Sequence, residues 1–111
     1  ILLKGVSGDY DWKFFESVLL DGKIPDYSQE KQSFEILLSS NQAKKLKLKV
    51  GDKARVWFLS EPVRRRRVTV AGIYETGMEE FDNLITICDI RVVQKIWGWE
   101  EYQVSGFEVY P

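Results

Sequence analysis

A chain of 111 residues fits one domain and leaves no room for a second independent core. Its hydrophobic share of 44% against 30% charged excludes a disordered chain, and a net charge of −1 excludes a global attraction to nucleic acid or to an anionic membrane. With no histidine and the single cysteine Cys88, a disulfide framework, a zinc site built on several cysteines, and every Ser-His or Cys-His catalytic arrangement are excluded as well.

In chain order, residues 1–6 read as a short strand running into a Ser7-Gly8 turn. Asp9 or Asp11 is expected to cap a helix that carries Trp12, Phe15 and Leu19 on one face and stops at Gly22. Residues 23–32 read as a loop, and Phe34 to Leu38 as the next strand. Ser39-x-x-Gln42 matches a capping box, in which the Ser39 hydroxyl and the Gln42 side chain satisfy free backbone N–H groups. The helix it opens passes through Ala43 and Leu46, with Lys44, Lys45 and Lys47 at the negative pole of its dipole. Val50-Gly51-Asp52 is a turn, Ala54 to Leu59 a strand, and Glu61-Pro62 punctuates a hairpin that returns as Arg65 to Tyr74. Thr76 to Asn83 reads as an acidic loop and Leu84 to Cys88 as a strand. Asp89 caps a helix bearing Ile90, Val93 and Trp97 that ends at Gly98, and Val104 to Tyr110 is the last strand. Strands and helices alternate without regular βαβ units, which gives an α+β fold with a mixed, mainly antiparallel sheet and about three short helices.

Carboxylates are the remaining groups able to do acid–base chemistry, in the clusters Asp9/Asp11 and Glu79/Glu80/Asp82. The first sits where a helix begins, so capping explains it. The second lacks the spaced oxygen ligands and fixed glycine of a calcium loop. The glycines stand singly at turns and helix ends, in no phosphate-binding pattern. The expectation is therefore a non-enzyme without cofactor or metal. Candidate contact residues are the run Arg64, Arg65, Arg66 and Arg67, the apolar Met78 and Phe81 of the acidic loop, and Trp99 beyond the last helix. On an extended strand alternate arginines face opposite sides, and charge on an edge strand also guards against unwanted pairing. A competing reading is a single-stranded nucleic-acid module that combines the arginine run with Trp57 and Phe58.

The ordered segments resemble the periplasmic domain of FtsX-like ABC transporter permeases across nearly the whole chain. Leu3-Lys4-Gly5-Val6 is similar to the family's opening strand, and Leu19 to Pro25 to its L/F-x-x-G-x-x-P. The stretch Ile36 to Asp52 is similar to I-x-L-S-x-x-x-A-x-x-L-x-L-x-V-G-D, and Val70 to Asp82 to V-x-G-I-Y-x-T-G-x-x-E-x-D. Asp89-Ile90-Arg91 and residues 103–109 resemble the closing helix and returning strand. Within the superfamily the chain looks nearest to permeases of lipoprotein-releasing transporters, and more distantly to MacB-type efflux permeases. The resemblance implies that residues 1–111 are a single extracytoplasmic fragment of an integral inner-membrane protein. Its partners would be a cytosolic ATPase reached through the parent protein, with a second permease, a periplasmic carrier or a lipoprotein substrate as further partners, and no nucleic acid. The family's longer carrier-recruiting loop has no counterpart in the short stretch between Leu59 and Arg65.

Overall fold

The computed structural model describes residues 2–31, 33–58, 64–92 and 101–109, with side chains described for 4–31, 33–55 and 66–92. Among the described residues the elements follow in the order β1 (Leu2–Val6), α1 (Lys13–Val18), β2 (Leu19–Gly22), β3 (Glu35–Ser39), α2 (Ser40–Leu46), β4 (Lys53–Phe58), β5 (Arg64–Tyr74), α3 (Glu79–Leu84), β6 (Ile85–Asp89) and β7 (Glu101–Val109). The fold is α+β. β1 pairs with β6, and β3 with β5, in parallel. The other pairings among the described residues are antiparallel: β1–β7, β2–β5, β3–β6, β4–β5 and β4–β7.

The strand order β2-β5-β3-β6-β1-β7-β4 returns to β5 through the β4–β5 pairing, so six strands close into a ring and β2 attaches outside it. The length of β5 makes this possible. Its first half, from Arg64 to Thr69, pairs with β4, and its second half carries β3 and β2. Closure removes the free edges that a small open sheet would expose.

The pleat divides the core in two. Ile36 and Leu38 of β3 join Ala54, Val68, Val70 and Cys88 on one face, with Leu48 and Val92 packed against them. Leu37 points the other way and joins Val6, Tyr74, Ile85 and Ile87, where α1 and Tyr27 cover it. The buried residue of α1 is Phe15, 2% exposed, whose ring meets Tyr74 edge-on at 5.1 Å. Burying such a ring contributes roughly 2–3 kcal/mol, and it is what holds this short helix to the sheet. Burial pushes the Cys88 thiol up to about 12, with the neighbouring Asp89 charge adding to the effect, so Cys88 is a core residue rather than a nucleophile.

Two expectations need correction. The first helix ends at Val18, and Leu19 to Gly22 form a strand, because β5 runs on past β4 and offers its edge to them. Leu19 pairs with Tyr74, and the Glu75 N–H donates to the Val18 carbonyl at 3.0 Å. The stretch expected as an acidic loop contains α3, whose acidic first turn suits the positive end of the helix dipole. The other expected strands appear with ends shifted by a few residues. Residues 90–92 open a helical turn where Asp89 was expected to cap one, while Val93, Trp97, Gly98 and the Glu61-Pro62 turn lie outside the described residues.

Candidate partner-contact surfaces

Thr76 to Leu84 is organised around one buried carboxylate. Asp82, 2% exposed, accepts the backbone N–H of Thr76 at 3.2 Å, the Thr76 hydroxyl at 2.7 Å and the N–H of Gly77 at 3.1 Å. The Met78 N–H in turn donates to Thr76 Oγ1 at 3.0 Å. Gly77 turns the chain at φ +83°, a conformation that an L side chain adopts at a cost. α2 fastens the far side. The Ser39 hydroxyl donates to the Asp82 carbonyl, Ser40 Oγ donates to Glu75 Oε1 at 2.8 Å, and Asn41 Nδ2 donates to Asn83 Oδ1 at 2.9 Å.

This frame sends the two apolar side chains in opposite directions. Phe81 folds back to 6.1 Å from the Tyr74 ring and 6.4 Å from that of Phe15, whereas Met78 stands 53% exposed beside Glu79 and Glu80. Phe81 thus packs, partly buried, against the core, and Met78 is a surface residue.

The arginine run lies along the first half of β5. Register sets Arg64 opposite Phe58, Arg65 opposite Trp57, Arg66 opposite Val56 and Arg67 opposite Arg55. Alternation continues from Val68 and Val70, which are buried in the core. Arg66 therefore lies on their face and is half-buried, while Arg67 is exposed on the other. Arg55, Arg66 and Arg67 are each engaged in interactions. The side chains of Arg64, Arg65, Trp57 and Phe58, and all of Trp99, lie outside the described residues.

A second polar hub escaped the sequence reading. Asp89, 1% exposed, accepts the Ser33 N–H at 2.9 Å and the Arg91 N–H at 3.0 Å, and pairs with the Arg91 guanidinium at 2.6 Å. Arg91 also donates to the carbonyls of Tyr27, Gln29 and Glu30, which ties the long 23–34 segment to the end of β6. Burial alone would raise the Asp89 carboxyl. The Arg91 guanidinium and two backbone N–H groups outweigh it and hold the carboxyl below its ordinary value. The unfolded chain then takes up the proton first, so Asp89 stabilises the fold above the ordinary carboxylate range and loses that effect as pH falls through its lowered value. Asp89→Asn is expected to lower the urea midpoint at pH 7 and to flatten its decline as pH falls below the ordinary carboxylate range. Parallel curves for the two proteins would contradict this role.

The exposed carboxylates are occupied locally. Asp9 accepts the Ser7 hydroxyl, and Asp11 Oδ1 accepts the Lys13 N–H at 3.0 Å, but the N-cap of α1 is Trp12, without a side-chain capping bond, so neither aspartate is the expected cap. Of the expected capping box, Ser39 Oγ accepts the Gln42 N–H at 3.1 Å. Gln42 does not reach back; its Oε1 instead accepts the buried Thr86 hydroxyl at 2.8 Å. Among the described residues no three His, Cys, Asp or Glu side chains converge as metal ligands, and no helix is long and apolar enough to cross a membrane. At α3 the surface shows Met78, 53% exposed, beside Glu79 and Glu80. No protein-family model and no curated protein matches the chain.

Proposed function

We propose that the chain is the periplasmic domain of an FtsX-like ABC transporter permease, a non-catalytic module of the lipoprotein-release or efflux type. It would transmit motion driven by ATP hydrolysis in a cytosolic subunit and touch a substrate or partner outside the inner membrane. The observation that carries this reading is the behaviour of the segment Val70 to Asp82, which resembles the family's V-x-G-I-Y-x-T-G-x-x-E-x-D. Its Thr76, Gly77 and Asp82 act as one hydrogen-bonded unit that fixes a surface tip to the long strand β5. A preorganised tip on a closed ring of strands suits a part that moves as a body and pushes on a partner.

The buried carboxylates Asp82 and Asp89 are both committed to backbone donors, which suits a mechanical part better than an acid–base catalyst. The test is the parent reading frame on both sides of the chain. One apolar span of roughly 20 residues upstream and three downstream are expected, and their absence would remove the membrane context. A titration with single-stranded DNA at low salt tests the competing class. Tight binding that weakens steeply with salt would displace the permease reading.

A further inference from the structure

An open groove of about 560 Å³ lies between α2 and β2. Its apolar floor includes Leu20, Ala43, Leu48 and Ile73, and Leu20 is 60% exposed although it is a large aliphatic side chain. Lys44, Lys47 and Lys49 stand around it, and among the described residues none of the three makes an ion pair. Asp21, the carboxylate at the groove, spends its Oδ1 on the Gly22 N–H at 2.8 Å. Lys23, by contrast, faces Glu35 at 3.7 Å. Lys47 also closes α2 in the left-handed region at φ 58°, a position that glycine fills without strain. Lys47 thus places a cation there in a conformation that an L side chain adopts at a cost. Addition of a strand to β2 does not explain the groove, because β2 is bulged between Leu19 and Asp21, an irregularity that discourages pairing.

The complement to this groove lies on the same molecule, across α2. α3 presents Met78 (53% exposed) and Leu84 (45% exposed) together with Glu79 and Glu80. Asn41 of α2 is bonded to Asn83 of α3, so the acidic apolar tip and the basic apolar groove adjoin along one helix. Two such adjoining, opposite patches form a self-complementary surface, the requirement for a two-fold contact in which each copy gives and receives the same side chains.

We propose that this face pairs two copies of the chain, α3 of each seated over the α2–β2 groove of the other, with Met78 on the Leu20–Ile73 floor and Glu79 and Glu80 facing Lys44 and Lys47. The inference concerns self-association alone and does not depend on the permease reading. Sedimentation velocity of the 111-residue chain from 10 µM to 1 mM at low salt tests it. A concentration-dependent rise from monomer toward dimer is expected, weakened in half-molar salt as the ion pairs are screened.

The double variants Lys44→Glu/Lys47→Glu and Glu79→Lys/Glu80→Lys should each remain monomeric. An equimolar mixture of the two should associate again, since both contacts of the mixed pair then join opposite charges. Leu20→Asp supplies a variant outside both charged clusters and should also stay monomeric, with circular dichroism and urea midpoint showing that it folds. A monomer at every concentration would overturn the proposal. So would association that survives both charge reversals, or a mixture that fails to associate.

Discussion

Asp82→Ala is expected to cost about 3 kcal/mol of folding stability, because it leaves the Thr76 N–H, the Thr76 hydroxyl and the Gly77 N–H without their acceptor in a site only 2% exposed. Each of these donors is satisfied by water in the unfolded chain, so the loss falls on the native state alone. Asp82→Asn retains one acceptor oxygen but turns an amide toward donors, and should fall between the two proteins. Thr76→Val removes only the hydroxyl and should cost about 1 kcal/mol. Urea unfolding gives the magnitudes. Hydrogen exchange gives the location, since the Thr76 and Gly77 amides should lose protection in Asp82→Ala before the core strands do. A change under 0.5 kcal/mol would mean that the carboxylate does not organise this segment.

Gly72→Ala should be comparably damaging for a different reason. A Cβ there would lie 2.4 Å from the Lys23 carbonyl oxygen and 2.9 Å from Leu37 Cδ1. The carbonyl cannot retreat alone, because the Lys23 N–H is donated to the Ala71 carbonyl at 2.9 Å. The facing Gly22 is equally tight, with a Cβ there placed 2.3 Å from the same Ala71 oxygen. Relief requires peeling β2 from β5, its one strand partner among the described residues, at a cost of about 3 kcal/mol. Gly51→Ala is the control. A Cβ there meets nothing within 4 Å, so only the φ of +92° is strained and about 1 kcal/mol should be lost. Equal losses at the two positions would show that conformation, not the close approach, governs Gly72.

These sites also mark where the sequence could be read and where it could not. The strands were legible because β-branched and aromatic runs carry their own signal over five or six residues. The Ser39 cap was legible because its N–H partner is three residues away. β2 was misread because Trp12, Phe15 and Leu19 keep a helical spacing, and only the edge of a distant strand draws Leu19, Asp21 and Gly22 into a ladder. α3 was hidden because its six residues hold only Phe81 and Leu84 as apolar positions among Glu79, Glu80, Asp82 and Asn83, too few to establish a period.

Asp82 looked like one more charge in a solvated cluster. Its spacing from Thr76 and Gly77 was the available hint that it accepts from a turn. Arg91 offered no hint at all, since the carbonyls it binds at Tyr27, Gln29 and Glu30 lie more than sixty positions earlier. Among the candidate contact residues, the opposite fates of Met78 and Phe81 depended on the rings of Phe15 and Tyr74, which the sequence does not place.

Ring closure also dictates when this chain can fold. β1 precedes the other described strands in synthesis, yet among the described residues Leu2 pairs with Ile85 on one side and Gln103 on the other. Residues 2–6 must therefore wait, unpaired, until β6 and β7 have been synthesised. The stretch from Lys53 to Tyr74 can zip locally in the meantime. Folding is then a late, cooperative event limited by the entropy of joining the two ends, slower than helix-rich chains of this size, and nascent chains shorter than β7 would depend on chaperones to keep β1 from pairing elsewhere.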